Sequence, residues 1–108
     1  MAALEAGARF GVSPGLNPEV VRAALSQQLP FLPGVMTPSE IEQALGLGCR
    51  LLKFFPADAA GGVKMLRALA GPYEPAGARF VPLGGVSVSN MAEYLAVPVV
   101  AAVGGSWV

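Results

Sequence analysis

The sequence contains few charged residues, no histidine and a single cysteine. Charged residues make up 13% of its 108 residues, against about 25% in a typical soluble domain. The absence of histidine removes the commonest general base and the commonest metal ligand. The one cysteine, Cys49, excludes both an internal disulfide and a cluster of thiolate metal ligands. Because Cys49 opens an apolar run, we expect it to be a small core residue.

The chain also lacks net charge and long apolar runs. Its 7 basic and 7 acidic residues give a formal net charge of zero, so no basic patch predicts nucleic-acid binding. Glycine, proline or a charge interrupts every apolar run well short of the roughly 18 residues that a membrane span needs. The N-terminus has neither the basic segment nor the cleavage site of a signal peptide. We therefore expect a cytoplasmic protein with no nucleic-acid or membrane partner.

Five short apolar runs recur along the chain, and each of the first four is followed by a stretch with helical spacing. They are residues 8–15, 30–35, 50–55, 79–85 and 97–108. Asn17 followed by Pro18 predicts the start of the first helix, and Thr37 with Glu40 predicts a capping box at the second. Such regular alternation predicts parallel strands joined by right-handed crossovers.

The fourth helix is predicted from "SVSNMAEYLA", residues 87–96. Ser87 or Ser89 is expected as its N-cap, because a serine oxygen can accept hydrogen bonds from the first turn. Helical spacing predicts that Met91, Tyr94 and Leu95 face the core.

Two architectures fit this alternation: an open doubly wound sheet, or part of a (β/α) barrel. The stretch "ALEAGA", residues 3–8, is typical of the last turn of a helix, and the chain stops two residues after "GGS". We therefore expect one domain over residues 1–108. It would be a partial (β/α)8 TIM barrel of about five parallel strands and four helices.

The segment "CRLLKFFPADAAGG", residues 49–62, places one lysine inside an apolar run. The composition is typical of a strand buried on both faces, where an unpaired ammonium group is costly. Lys53 could be a solvated residue at the rim of the sheet. Alternatively, an apolar pocket favours its neutral amine, which can attack a carbonyl group and form a Schiff base.

Two glycine pairs close the last two apolar runs, in "PLGGVS" and "AVGGSWV". Successive backbone N–H groups at glycines can form a nest for an anion, and barrels often bind phosphate after their last two strands. Either pair alone could be a tight turn. Their equivalent positions on adjacent units favour an anion site, whereas Gly61 and Gly62 are interpreted as structural.

Together, the lysine and the glycine pairs resemble the 2-keto-3-deoxy-6-phosphogluconate (KDPG) and 4-hydroxy-2-oxoglutarate (KHG) aldolase family. The matching motifs follow the family order over essentially the whole chain: "GARFGVSPG", "PFLPGVMTPSE", "LLKFFPADAAGGVK", "RFVPLGGVS" and "VGGSWV". The resemblance implies that Lys53 forms a Schiff base with pyruvate. It implies that the phosphate is bound by Gly84, Gly85, Gly105 and Ser106. It also implies that Pro14 and Phe55 line the pocket.

The resemblance also implies a class I mechanism without metal or other cofactor, and a homotrimer. The substrate would be a small 2-keto acid, cleaved to pyruvate and either glyceraldehyde 3-phosphate or glyoxylate. In the family, a glutamate on an early strand is the general base, and an arginine beside it holds the pyruvate carboxylate. Neither has a counterpart here, so we expect little or no turnover from this chain alone.

Two positions near the site are interpreted separately. Asp58 is the carboxylate nearest to Lys53 in the sequence, but we do not expect it to be the general base. Leu83 stands where the family commonly has threonine, which predicts altered specificity. Two other functions remain open at this point: a phosphate-ester-binding module without catalysis, and a self-associating half-barrel.

Overall fold

A computed structural model describes residues 11–105 of the chain. Within that range, β-strands and α-helices alternate. The elements are β1 (Gly11–Val12), α1 (Pro18–Ser26), β2 (Phe31–Leu32), β3 (Gly34–Val35), α2 (Pro38–Gly46), β4 (Leu51–Phe54), α3 (Gly62–Ala70), β5 (Arg79–Pro82) and α4 (Met91–Leu95). A short 3-10 helix, Gly71–Ala76, follows α3. The stretch at residues 3–8, interpreted as the end of a helix, lies outside the described residues.

The first two helices begin at the predicted caps. The side chain of Asn17 accepts hydrogen bonds from the backbone N–H groups of Glu19 and Val20, at 3.0 and 3.4 Å. At α2, the hydroxyl of Thr37 accepts the N–H of Glu40, while the Glu40 carboxylate accepts the N–H of Thr37. These contacts satisfy N–H groups that a helix start otherwise leaves unpaired, so both starts are fixed by local sequence.

Helix α4 differs from the prediction in two respects. Its N-cap is Asn90, not Ser87 or Ser89, and the Asn90 side chain makes no hydrogen bond to the helix. Leu95, expected to face the core, is 48% exposed, whereas Tyr94 is buried. Consecutive helical residues point about 100° apart, and here the core side of α4 is the side that carries Tyr94.

All strand pairs are parallel, and each apolar run pairs with the next run along the chain. β1 pairs with β2, and β3, β4 and β5 form a second sheet in that order. A parallel bridge between Phe80 and Val100 adds the fifth run. A doubly wound sheet would reverse its strand order at a switch point, and this sequential order does not. The fold is therefore a partial (β/α) barrel, as predicted.

Strands β2 and β3 are two halves of one predicted strand, separated at Pro33. Proline has no N–H group and cannot donate to a ladder. The carbonyl of Pro33 still accepts the N–H of Lys53 at 2.9 Å, so the run stays joined to β4. The second apolar run thus links the two sheets.

The core lies between the helices and one face of the sheet. Leu52, Phe54 and Phe80 are buried on that face. On β4, Leu51 is 37% exposed and Lys53 is half-buried, so the expectation of a strand buried on both faces is wrong for the described residues. We call the alternate positions Leu51, Lys53, Arg79 and Val81 the inner face, because they point away from the helices. None of the helices within residues 11–105 has the length and hydropathy needed to span a membrane.

Candidate active site

Lys53 lies on the inner face near the carboxyl end of β4. Strand pairing places it beside Gly34 on β3 and Val81 on β5. Its Nζ atom lies 4.3 Å from the centroid of the Phe55 ring. An ammonium group over an aromatic face is attracted by the ring quadrupole, so this contact favours a lysine side chain directed toward Phe55.

Two cavities open at this end of the strands, and Phe55 lines both. The first, which we call the glycine cavity, has a volume of about 420 Å³ and is lined by Phe55, Leu83, Gly84, Gly85, Val86, Ser87 and Gly105. The second, the Pro14 cavity, has a volume of about 230 Å³ and is lined by Pro14, Gly15, Gly34, Val35, Met36, Glu40, Phe55 and Pro56. Parallel strands gather their carboxyl ends at one edge of the sheet, which is why loops far apart in sequence meet here.

The turn after β5 requires glycine at two consecutive positions. Gly84 and Gly85 have φ angles of +93° and +77°, which side chains rarely adopt. A Cβ atom on Gly84 would lie 2.9 Å from the Cα atom of Pro56, and one on Gly85 would lie 2.5 Å from the Cβ atom of Asp58. Backbone conformation and close packing against the loop after β4 therefore both favour glycine.

Every carbonyl group of this turn is hydrogen-bonded to a neighbouring residue. The donors are the N–H groups of Ala57 (2.7 Å, to Leu83) and Asp58 (2.9 Å, to Gly84), and the side-chain amide of Asn90 (3.0 Å, to Gly85). In a planar trans peptide the N–H group points opposite to its carbonyl. The N–H groups of Gly84, Gly85 and Val86 therefore point away from these partners, and within residues 11–105 they have no acceptor. Such a run of N–H groups can form a nest for an anion.

The second glycine pair lies beside the first. The N–H group of Gly104 donates to the carbonyl of Pro82 at 3.1 Å, which extends the pairing with β5. A Cβ atom on Gly104 would lie 2.7 Å from Cδ2 of Leu83, so leucine occupies the space between the two turns. Gly105 lines the glycine cavity. Ser106, the other predicted phosphate ligand, lies outside the described residues.

Asp58 is bonded to a residue that the sequence did not connect with it. The buried hydroxyl of Tyr94 donates to Oδ1 of Asp58 at 3.0 Å. Burial, together with the hydrogen bond to Asp58 and its charge, raises the pKa of Tyr94 to about 12. Asp58 is therefore engaged in a hydrogen bond between two elements of the fold. This agrees with the expectation that it is not the general base. The one available signal was Tyr94 itself, because a buried tyrosine hydroxyl usually requires a partner.

Cys49 is buried in the core, as predicted. Burial raises the pKa of its thiol, while the nearby charge of Arg50 opposes that shift. A raised pKa disfavours the thiolate, which is the nucleophilic form. Within residues 11–105, no cluster of three or more histidine, cysteine or acidic side chains could hold a metal ion.

Comparison with known proteins identifies similar sequences over almost the whole chain. The family model described as "Aldolase: KDPG and KHG aldolase" matches residues 1–108. The 2-dehydro-3-deoxy-phosphogluconate aldolase of Treponema pallidum is 52% identical over 102 residues, which cover 94% of this chain and 48% of the relative. The KHG/KDPG aldolase of Escherichia coli K12 is 47% identical over 103 residues, which cover 95% of this chain and 47% of the relative. The chain thus spans about half the length of these curated relatives.

Solved structures give the same result for the fold. The KDPG aldolase of Legionella pneumophila, with pyruvate captured as a covalent carbinolamine intermediate, has a TM-score of 0.90 and 46% sequence identity. The match covers 96% of this chain and 50% of that protein. The aldolase of Zymomonas mobilis ZM4, solved with 3-phosphoglycerate, has a TM-score of 0.92 and 39% identity over 97% of this chain and 49% of that protein.

Proposed function

The chain belongs to the KDPG and KHG aldolase family, and on that premise we propose that it carries the Schiff-base lysine and the phosphate site of a class I aldolase. The observation that carries this proposal is the position of Lys53. Its Nζ atom lies over the Phe55 ring, and Phe55 also lines the cavity at the turn whose three consecutive N–H groups have no acceptor within residues 11–105. A nucleophile beside an anion nest suits a phosphorylated keto acid.

In the proposed reaction, the neutral amine of Lys53 attacks the ketone carbon of a 2-keto acid. Loss of water gives a protonated imine, which draws electrons from the neighbouring carbon–carbon bond. A general base removes the proton of the hydroxyl group across that bond, the bond breaks, and an aldehyde leaves. The remaining enamine takes up a proton, and water then hydrolyses the imine to release pyruvate and restore Lys53.

The proposed substrates are KDPG, which would give glyceraldehyde 3-phosphate, and KHG, which would give glyoxylate. The turn at Gly84 and Gly85, together with Gly105 and Ser106, would bind the phosphate of KDPG through backbone N–H groups and a hydroxyl. Pro14 and Phe55 would line the pocket around the keto acid. A bound 3-phosphoglycerate in the Zymomonas relative supports an organic phosphate as the ligand of this fold.

The general base is proposed to come from outside the strands that carry Lys53 and the glycine turns. Asp58, the nearest carboxylate in the sequence, is hydrogen-bonded to Tyr94. We therefore propose that this chain alone has little or no aldolase turnover, although Lys53 can still form the imine. A cytoplasmic location and assembly as a homotrimer are further proposals that rest on the family.

The second candidate is a phosphate-ester-binding module without catalysis. It is favoured by one observation: the N–H groups of Gly84, Gly85 and Val86 are arranged by contacts that do not involve Lys53. Such a module would bind phosphate whether or not the lysine reacts. A half-barrel that only self-associates would neither bind phosphate nor form an adduct with pyruvate.

The test is to incubate the chain with pyruvate, reduce with borohydride, and locate the adduct by intact and peptide mass. The chain contains two lysines, Lys53 and Lys64, and Lys64 is exposed on α3. Lys64 is therefore an internal control for nonspecific reductive alkylation. We expect the adduct at Lys53 in large excess over Lys64.

Equal modification of both lysines in a folded sample would rule out the Schiff-base assignment. If phosphate bound under the same conditions, the binding module would become the better description. If neither adduct nor phosphate binding were found, the self-associating half-barrel would remain.

A further inference from the structure

The side chain of Asn90 does not cap helix α4, although Asn90 is the N-cap residue. Asn90 occupies the N-cap of α4, where a side-chain oxygen usually accepts an N–H of the first turn. No such hydrogen bond is present. The side chain reaches back to the preceding turn instead, where it bonds to Gly85 and Ser87.

Asn90 holds the backbone on both sides of Val86. Its Nδ2 group donates to the carbonyl of Gly85 at 3.0 Å, and its Oδ1 atom accepts the N–H of Ser87 at 2.7 Å. Between these two bonded groups lies the N–H of Val86, which has no acceptor within residues 11–105. Val86 and Ser87 both line the glycine cavity.

The peptide between Gly85 and Val86 could otherwise rotate. Glycine accepts many backbone conformations at little steric cost, so a rotation here would exchange the directions of the carbonyl and the N–H. The carbonyl oxygen would then face the anion in place of the hydrogen, and an unfavourable contact would replace a favourable one. The hydrogen bond from Asn90 to that carbonyl opposes the rotation.

We propose that Asn90 is a positioning residue for the phosphate group, since it clamps the peptides around Val86 and keeps the N–H of Val86 directed at the anion. This inference rests on the proposed phosphate site. It adds a side chain that acts on the site through the backbone, by its hydrogen bonds to Gly85 and Ser87. Ala57 and Asp58 donate to the two preceding carbonyls, those of Leu83 and Gly84. Their donors are backbone N–H groups, which an alanine substitution does not remove.

The experiment compares the wild-type chain with Asn90→Ala and with Ser89→Ala as a matched control. Ser89 is adjacent and exposed, and its hydroxyl contacts only that of Ser87, at 2.8 Å, among the described residues. Two quantities are measured for each protein: the dissociation constant for inorganic phosphate, by 31P NMR titration, and the extent of the pyruvate adduct at Lys53. Circular dichroism establishes that each variant is folded.

We expect Asn90→Ala to weaken phosphate binding about tenfold, the effect of one well-placed hydrogen bond. The adduct at Lys53 should be unchanged, because Asn90 does not contact the lysine strand. Ser89→Ala should leave both quantities at the wild-type level. A loss of general structure would lower the adduct as well, so this split distinguishes positioning from stability.

Unchanged phosphate affinity in Asn90→Ala would overturn this inference and leave the proposed function standing. Loss of both phosphate binding and the adduct would also overturn it, in favour of a purely structural role. If the wild-type chain formed the adduct but bound no phosphate, the anion site and the role of Asn90 would both fail. Should the alanine variant not fold, Asn90→Asp is measured in its place, because it keeps the acceptor for Ser87 and removes the donor to Gly85. Wild-type phosphate affinity in Asn90→Asp would likewise overturn the inference.

Discussion

At the residue scale, the proposed chemistry depends on the amine of Lys53, which lies 4.3 Å from the centroid of the Phe55 ring. Lys53→Arg keeps a positive charge that can stack on this ring but removes the nucleophilic amine. We expect the borohydride-trapped pyruvate adduct to fall to the background level of Lys64, with the melting temperature little changed. An adduct that persisted at wild-type yield would have to lie at another amine, which peptide mass would reveal.

The turn proposed to bind the anion is also defined at the residue scale. Gly85→Ala places a Cβ atom 2.5 Å from the Cβ atom of Asp58 at a φ of +77°. Strained backbone and overpacking each cost about 1–3 kcal/mol. We therefore expect the free energy of unfolding, measured by urea denaturation, to fall by at least about 1 kcal/mol.

Gly46→Ala is the matched control for this substitution. Gly46 ends α2, and a Cβ atom there would meet nothing within 4 Å. Alanine is a better helix former than glycine, so stability should rise by up to about 1 kcal/mol. If both substitutions shifted stability in the same direction, the close approach at Gly85 would not be what requires glycine.

At the scale of elements, one partly buried hydrogen bond ties α4 to the loop after β4. Tyr94 on α4 is 1% exposed, and its hydroxyl donates to Asp58 at 3.0 Å. The same loop donates to the carbonyls of the glycine turn through Ala57 and Asp58. The helix, the lysine-bearing strand and the anion nest are therefore coupled through a single loop.

This contact predicts a pH dependence of stability. The pKa of Tyr94 is raised from 10.0 to about 12 in the folded chain. Below pH 10 the phenol is neutral in both folded and unfolded states, so its contribution is fully present. As the pH rises from 10 to 12 the unfolded phenol ionises first, and about 2–3 kcal/mol of stability should be lost.

Comparison of wild type with Tyr94→Phe isolates this contribution, because Tyr73 is the only other tyrosine and remains in both proteins. Denaturation measured between pH 9 and 12 should give a steeper loss for wild type than for the variant. Equal slopes would mean that the Tyr94 phenol titrates alike in the folded and unfolded states.

At the scale of the whole molecule, the described strands leave sheet edges and some apolar side chains uncovered, among them Leu51 of the inner face. Leu51 on the inner face is 37% exposed, and Val12 on β1 is 52% exposed. Unpaired edges and exposed apolar strands favour pairing with another chain. We expect the 108-residue polypeptide, studied alone, to self-associate at micromolar concentration through this face.

Sedimentation velocity of wild type and Leu51→Lys tests this expectation, since a charge on the inner face should shift the distribution toward monomer. Val88→Lys is a suitable control because Val88 is 69% exposed but lies outside the inner face, in the loop before α4. A monodisperse wild-type monomer with a cooperative melt would contradict the expectation.

The sequence by itself determined the features that depend on near neighbours. The caps at Asn17 and Thr37 involve residues two or three positions apart, and the alternation of apolar runs with helical stretches predicted a parallel sheet. The resemblance to the aldolase family singled out Lys53 and the glycine pairs. Even the two consecutive glycines could be interpreted locally, because positive φ angles are a property of single residues.

Only the tertiary structure decided which faces and groups meet. The exposed side of β4 and the hydrogen bond between Tyr94 and Asp58, which are 36 positions apart, depend on how separate units pack. The wrong cap prediction at α4 is a separate, local matter, since Asn90 bonds to Ser87 and Gly85, three and five positions before it. Tyr94 and Asp58 come within hydrogen-bond distance only when α4 packs against the loop after β4, and local sequence does not contain that distance.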